Sequence, residues 1–203
     1  MTNTIWNKLD SSSSDLAYIN HRLVITGGPG SGKTTLIKHL SALGYDTFGE
    51  IARDLIENGS TPPLWGVQPS PNIFFQSVLK SRIHDYLQLP GGHIGFYDRG
   101  IPDCLAFFAY QNRKVPAVLE KAIRCYRYNQ RVFIAPPWEE IYTFDSVRKE
   151  SFSAAEQLFE LLTDAYRSQG YQLIELPKAS VEVRVNFILS EINALFTEPQ
   201  SGR

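Results

Sequence analysis

Eight consecutive residues, Gly27-Gly28-Pro29-Gly30-Ser31-Gly32-Lys33-Thr34, fit the pattern G-x-x-x-x-G-K-[ST]. The chemistry of such a stretch is phosphate binding. Its glycines let the backbone turn sharply, so that successive N–H groups point at phosphate oxygens. A helix leaving the loop adds the positive end of its dipole. Lys33 would reach the β- and γ-phosphates of a nucleotide, and the Thr34 hydroxyl would ligate Mg²⁺. Thr35 completes the nucleotide-binding stretch. The flanks agree with this reading: Arg22–Thr26 (RLVIT) has the pattern of a strand entering the loop, and Lys33–Leu43 that of a helix leaving it.

Further polar residues follow predicted strands. Asp98 comes directly after the apolar run His93–Tyr97, where an acid lies beside the phosphate loop and can hold Mg²⁺ directly or through water. The alternative is an acid that bonds local backbone at the following turn. Asp103 follows Ile101-Pro102 and precedes an apolar run, which reads as a helix N-cap. Glu50 stands just past the second strand, at a helix start where the dipole favours an acid. Arg53, three residues on, shares its face and either pairs with it or binds substrate. Phe74-Phe75-Gln76 opens a long helix after a proline-rich loop that contains Trp65, and phenylalanines at helical spacing fit a core. Arg124, Arg127 and Arg131 read as a solvated basic face, with an anionic acceptor contact as the alternative.

These residues need a scaffold, and the pattern supplies one. Short apolar runs at 22–26, 45–48, 93–97, 132–135 and 171–176 alternate with amphipathic stretches. Such alternation predicts an α/β fold in three layers, a five-stranded, mostly parallel sheet with helices on both faces. In that architecture ligands sit beyond the carboxyl ends of the strands. Residues 1–20, with four consecutive serines, read as a flexible extension, 21–196 as one domain, and 197–203 as a tail.

Composition narrows the function classes. The 203 residues carry 20 Lys+Arg against 21 Asp+Glu, a formal charge of −1, which argues against a nucleic-acid binder held by bulk charge. The longest apolar run, Cys104–Tyr110, is seven residues, far short of the roughly 20 a membrane span needs. The N-terminus lacks a positive start followed by an apolar core. Cys104 and Cys125 are too few for a disulfide framework or a metal cluster and read as reduced thiols of a cytoplasmic protein.

The sequence resembles the small P-loop kinases, and most closely a group of predicted AAA-type ATPases related to nicotinamide riboside kinases and deoxynucleoside kinases. The resemblance covers about residues 20–195 and rests on GGPGSGKTTL at 27–36, EIAR at 50–53, YDRGIPD at 97–103, PPWEEIY and DSVRKES within 136–152, and GYQLIELPKASVEVRV at 170–185. It implies a P-loop NTPase fold with a kinase-like lid over about 136–153, ATP and Mg²⁺ as cofactors, and a small-molecule acceptor rather than a nucleic acid or a membrane.

The resemblance also implies roles. Arg99 would steady donor phosphates or acceptor, and Glu50 would take the proton from an acceptor hydroxyl. That base is needed because a sugar alcohol is a very weak acid. Trp65, Phe74, Phe75 and Gln76, with Arg53, would form the acceptor pocket, an aromatic stacking on a base and the glutamine reading its edge. Arg148 and Lys149 would be the lid cations, meeting charge on the transferred phosphoryl group; a plain solvated surface is the other reading. Trp138 would anchor the lid to the body. Lys178 and Ala179 would wrap the adenine, and Ser180 either joins them or caps the last helix. The rival to a kinase is an ATP-hydrolysing switch acting through a protein partner. The sequence leaves the acceptor and the oligomeric state open.

Overall fold

The computed structural model describes residues 20–49, 71–142 and 151–197. Glu50, Arg53, Trp65, Arg148 and Lys149 therefore lie outside the described residues, as do the N-terminal extension up to residue 19, the tail from 198 and the middle of the lid.

Five strands, β1 (Arg22–Gly27), β2 (Asp46–Phe48), β3 (Gly95–Asp98), β4 (Arg131–Ala135) and β5 (Gln172–Glu175), form one sheet of order β2-β3-β1-β4-β5. Every pairing is parallel. The central strand β1 is almost wholly buried, as an interior parallel strand covered on both faces must be. The edge strands β2 and β5 are short and only partly buried, which limits the unpaired backbone a partner chain could recruit.

The alternation of side chains along β1 assigns the two faces. Leu23 and Ile25, with Phe96 and Phe133 of the neighbouring strands, pack against Leu36, Ile37 and Leu40 of α1 (Lys33–Ala42) and Val185, Ile188 and Ile192 of the last described helix, α6 (Val181–Thr197). Val24, Tyr97 and Val132 face the other way. They meet α2 (Pro71–Gln88), α3 (Asp103–Tyr110) and α4 (Ala117–Cys125), together with Tyr166 of α5 (Phe152–Ser168). A third cluster joins Ala106 of α3 to Leu158, Leu162 and Ala165 of α5 over Ile134. Full burial of each such Leu, Ile or Phe contributes about 1.5–3 kcal/mol. The expected three layers are thus present. No helix among the described residues is long and apolar enough to cross a membrane.

Candidate active site

The chain leaves β1 at Gly27 and turns through residues 28–32 into α1. The N-cap of α1 is Gly32, left-handed at φ +81°, and the first turn has neither a side-chain cap nor an acidic residue. A helix begins with N–H groups that no residue of its own accepts. Ser151 accepts one from Ala154 N at 3.2 Å for α5, and Ser180 accepts one from Val183 N at 3.4 Å for α6. In α1 no side chain caps the helix, and a start of that kind suits an anion. Lys33 is only 5% exposed; its Nζ donates to Gly28 O at 2.7 Å and to Ser31 Oγ at 3.2 Å. Ser31 Oγ donates to the same carbonyl at 2.9 Å, so the loop is drawn inward around Gly28 O. Thr34 is half-buried at the helix start, and Thr35 is exposed.

Asp98, 4% exposed, ends β3 and lies in register with Ile25 of β1. Phe96 belongs to the cluster under α1, so the two-residue period of the strand sets Asp98 on that same side of the sheet. Thr34 and Asp98 offer a hydroxyl and a carboxylate, hard oxygen donors. That set fits Mg²⁺, which takes one or two protein oxygens and completes its octahedron with phosphate and water.

Arg99 adopts φ +72°, a conformation costly for a residue with a side chain. Its backbone N–H donates to Ile25 O at 3.0 Å, and its Nη1 donates to Gly27 O at 2.9 Å and to Asp103 Oδ1 at 3.3 Å. The guanidinium also lies 5.7 Å from the centre of the Phe107 ring. In this arrangement Arg99 braces the first carbonyl of the phosphate loop.

Asp103 differs from the expectation. The N-cap of α3 is Pro102, and Asp103 is the first helical residue, fully buried. Its carboxylate accepts from Thr26 Oγ1 at 2.7 Å, from Gly100 N at 2.9 Å, from Arg99 and from the Tyr166 hydroxyl. Arg82 of α2 stands 4.0 Å away and donates to Gly100 O. Burial lowers the affinity of Arg82 for its proton, but Cys104, Asp103, Tyr128 and Tyr166 together outweigh it and hold the guanidinium above its ordinary range. Burial pushes the Tyr166 hydroxyl well above the usual tyrosine range, helped by the neighbouring Asp103 charge. One carboxylate therefore ties α2, α3 and α5 to the last residue of β1 before the loop.

The segment after β4 borders the loop from outside. A one-turn 3-10 helix at Glu139–Ile141, beginning beyond the half-buried Trp138, leads to Tyr142. A Cβ on Gly30, itself at φ +74°, would lie 2.6 Å from the Tyr142 ring, so only glycine fits there. Tyr142 packs edge-on against Phe152, with centroids 5.5 Å apart. Arg184 of α6 also reaches the loop, donating Nη1 to Ser31 O at 3.0 Å.

The remaining expected residues are dispersed. Phe75 packs into the core edge-on to Phe108, with centroids 4.9 Å apart, Phe74 is partly buried beside that cluster, and Gln76 is exposed. Lys178 is exposed and Ala179 half-buried in the turn between β5 and α6. Arg82, Tyr142, Tyr166 and Arg184 were not singled out from sequence. A signal existed for two: Arg82 is three residues beyond Leu79, and Arg184 is three beyond Val181 and four before Ile188. Both are charges on an apolar stripe.

A phosphate loop between the first strand and helix of a five-stranded parallel sheet, with a segment after β4 folded over it, defines the class of P-loop NTPases with a kinase-like fold. A family model described as "AAA domain" matches residues 22–184, and the chain belongs to that family. No curated protein matches it. Among solved structures, the NadR protein in complex with NR is similar at a TM-score of 0.64 and 14% identity, over 91% of this chain and 53% of that one. Deoxyadenosine kinase from M. mycoides is similar at 0.61 and 14%, over 86% and 99%. Thymidylate kinase from Candida albicans is similar at 0.61 and 14%, over 88% and 93%.

Proposed function

We propose that the protein is an ATP- and Mg²⁺-dependent kinase that transfers the γ-phosphoryl group to a small, hydroxyl-bearing acceptor. The supporting observation is the convergence, at the carboxyl ends of the paired strands β1 and β3, of a helix start without a side-chain cap, Lys33, Asp98 and a buried Arg99 braced against the loop. Phosphoryl transfer asks little covalent chemistry of a protein and much positioning and charge neutralisation. Lys33 and the loop amides hold the donor. Thr34 and Asp98 would hold Mg²⁺, which when bound neutralises charge on the β- and γ-phosphates. Arg99 keeps the loop's first carbonyl in place, and Arg148 meets charge on the transferred group. Glu50 takes the acceptor proton, while Arg53, Trp65, Phe74, Phe75 and Gln76 form the acceptor side. Lys178 and Ala179 flank the nucleotide base. The acceptor is nucleoside-like, and the setting is cytoplasmic.

The test is a screen of γ-labelled ATP against nucleosides, vitamins and sugars. A labelled product supports the kinase; hydrolysis that depends on a protein partner, with no labelled product, replaces it with a nucleotide switch. Lys33→Ala abolishes turnover, and Glu50→Gln abolishes transfer while nucleotide binding survives. Transfer retained in Glu50→Gln would exclude Glu50 as the base and favour an acceptor that is already a phosphate.

A further inference from the structure

Arg184 is 3% exposed, and among the described residues its side chain makes one hydrogen bond, from Nη1 to Ser31 O at 3.0 Å. Its Nε is buried with no hydrogen-bond partner. None of the ion pairs among the described residues includes it. Burial moves its proton affinity downward, and no carboxylate among the described residues offsets the lost hydration. It is also the fourth residue of α6, near a helix N-terminus, where the dipole disfavours a cation. Two stability rules are thus broken by one residue. The fold gives it room: a Cβ on Gly32 would lie 2.8 Å from Arg184 Nη1, so the last glycine of the loop lets the guanidinium approach the backbone.

A buried cation without a counter-charge among the described residues, pressed on a phosphate loop, is poised for an anion that arrives from outside. We infer that Arg184 is a positioning residue of the donor site. Its hydrogen bond fixes the Ser31 peptide, so that the loop amides face the phosphates. Its uncompensated charge raises the loop's attraction for the polyphosphate of a nucleoside triphosphate. Because α6 follows directly on the Lys178–Ser180 turn, and Arg184 N donates to Ser180 O at 3.0 Å, the same residue sets the spacing between the base-side turn and the phosphate loop. This inference rests on the donor-site reading above and adds to it a residue from the far end of the chain.

The test measures affinities for ATP and inorganic tripolyphosphate by calorimetry in wild type, Arg184→Met and Arg184→Lys. Thermal midpoints are recorded without ligand. Arg184→Met is expected to lose at least tenfold in affinity for both ligands while its midpoint stays within about 2 °C or rises, because removing an unpaired buried charge relieves the fold. Arg184→Lys, which keeps the charge but not the fork, recovers part of the affinity. Unchanged affinity in Arg184→Met overturns the inference. So does a fall in midpoint that Arg184→Lys shares, or failure of Arg184→Met to fold, since either makes the role structural. Wild-type protein that binds neither ligand overturns the donor-site reading as well; binding in wild type that survives in Arg184→Met overturns this inference alone.

Discussion

Behind the phosphate loop, Arg82 and Arg99 are buried around Asp103; beside it, Arg184 is buried with no carboxylate partner among the described residues. The two regions share a charge and a depth but differ in compensation. Around Asp103 two guanidinium groups share one carboxylate, although Arg82 Nε is left without a hydrogen-bond partner, and the cluster crosslinks α2, α3, α5 and the end of β1. At Arg184 the missing partner leaves an electrostatic demand that folding does not meet. The contrast separates charge that builds the site from charge reserved for what enters it.

The largest expected effect tests the compensated side. Asp103→Ala leaves two buried guanidinium groups without their carboxylate and should cost about 3–5 kcal/mol, read from chemical unfolding. A loss as small as that of a surface substitution would erase the distinction from Arg184. Next, Tyr166→Phe removes a donor to Asp103 and an acceptor for Gly100 N (3.2 Å), with an expected cost of about 1–3 kcal/mol. It also changes the alkaline limb. Above about pH 10 the unfolded chain releases this phenolic proton while the folded one keeps it, so stability falls by about 1.4 kcal/mol per pH unit until the folded group ionises. Below pH 10 the group contributes no slope. Unfolding free energies from pH 9 to 11 should fall less steeply in Tyr166→Phe, although Tyr128, whose hydroxyl burial also raises, keeps its share. Equal slopes would remove Tyr166 from the cluster's proton balance.

The smallest effect sharpens the other side. Ser180→Ala removes the N-terminal cap of α6 and should cost about 0.5–1 kcal/mol, with a smaller loss of ATP affinity than Arg184→Met. An affinity loss as large as that of Arg184→Met would mean that the placement of α6, rather than the charge, does the work.

Local chemistry decided what could be read in advance. The phosphate loop is legible because its eight residues act through their own backbone, and Asp98 because a strand end places it. The three layers follow from alternation along strands such as β1. Asp103 was read as a cap because its sequence neighbours, Ile101 and Pro102, suggest one. Its actual partners Thr26 and Tyr166 are 77 and 63 residues away, and only the packed sheet brings them together. Phe75 shows the opposite case, since its apolar spacing already pointed to the core contact it makes. Arg184 needed the fold: the sequence shows a charge on a stripe but not the carbonyl it faces.

The inward hydrogen bonds of Lys33 also bear on what can occupy the loop. Its ammonium already has Gly28 O and Ser31 Oγ as acceptors, so an incoming ligand has to compete with the protein's own oxygens. A neutral hydroxyl or carbonyl offers no better bargain than a neutral backbone oxygen and leaves the exchange close to even. A phosphate oxygen with its negative charge forms a bond roughly twice as strong and displaces both. The loop thereby discriminates by substitution rather than by shape, admitting anions because only they outbid the acceptors it carries within itself.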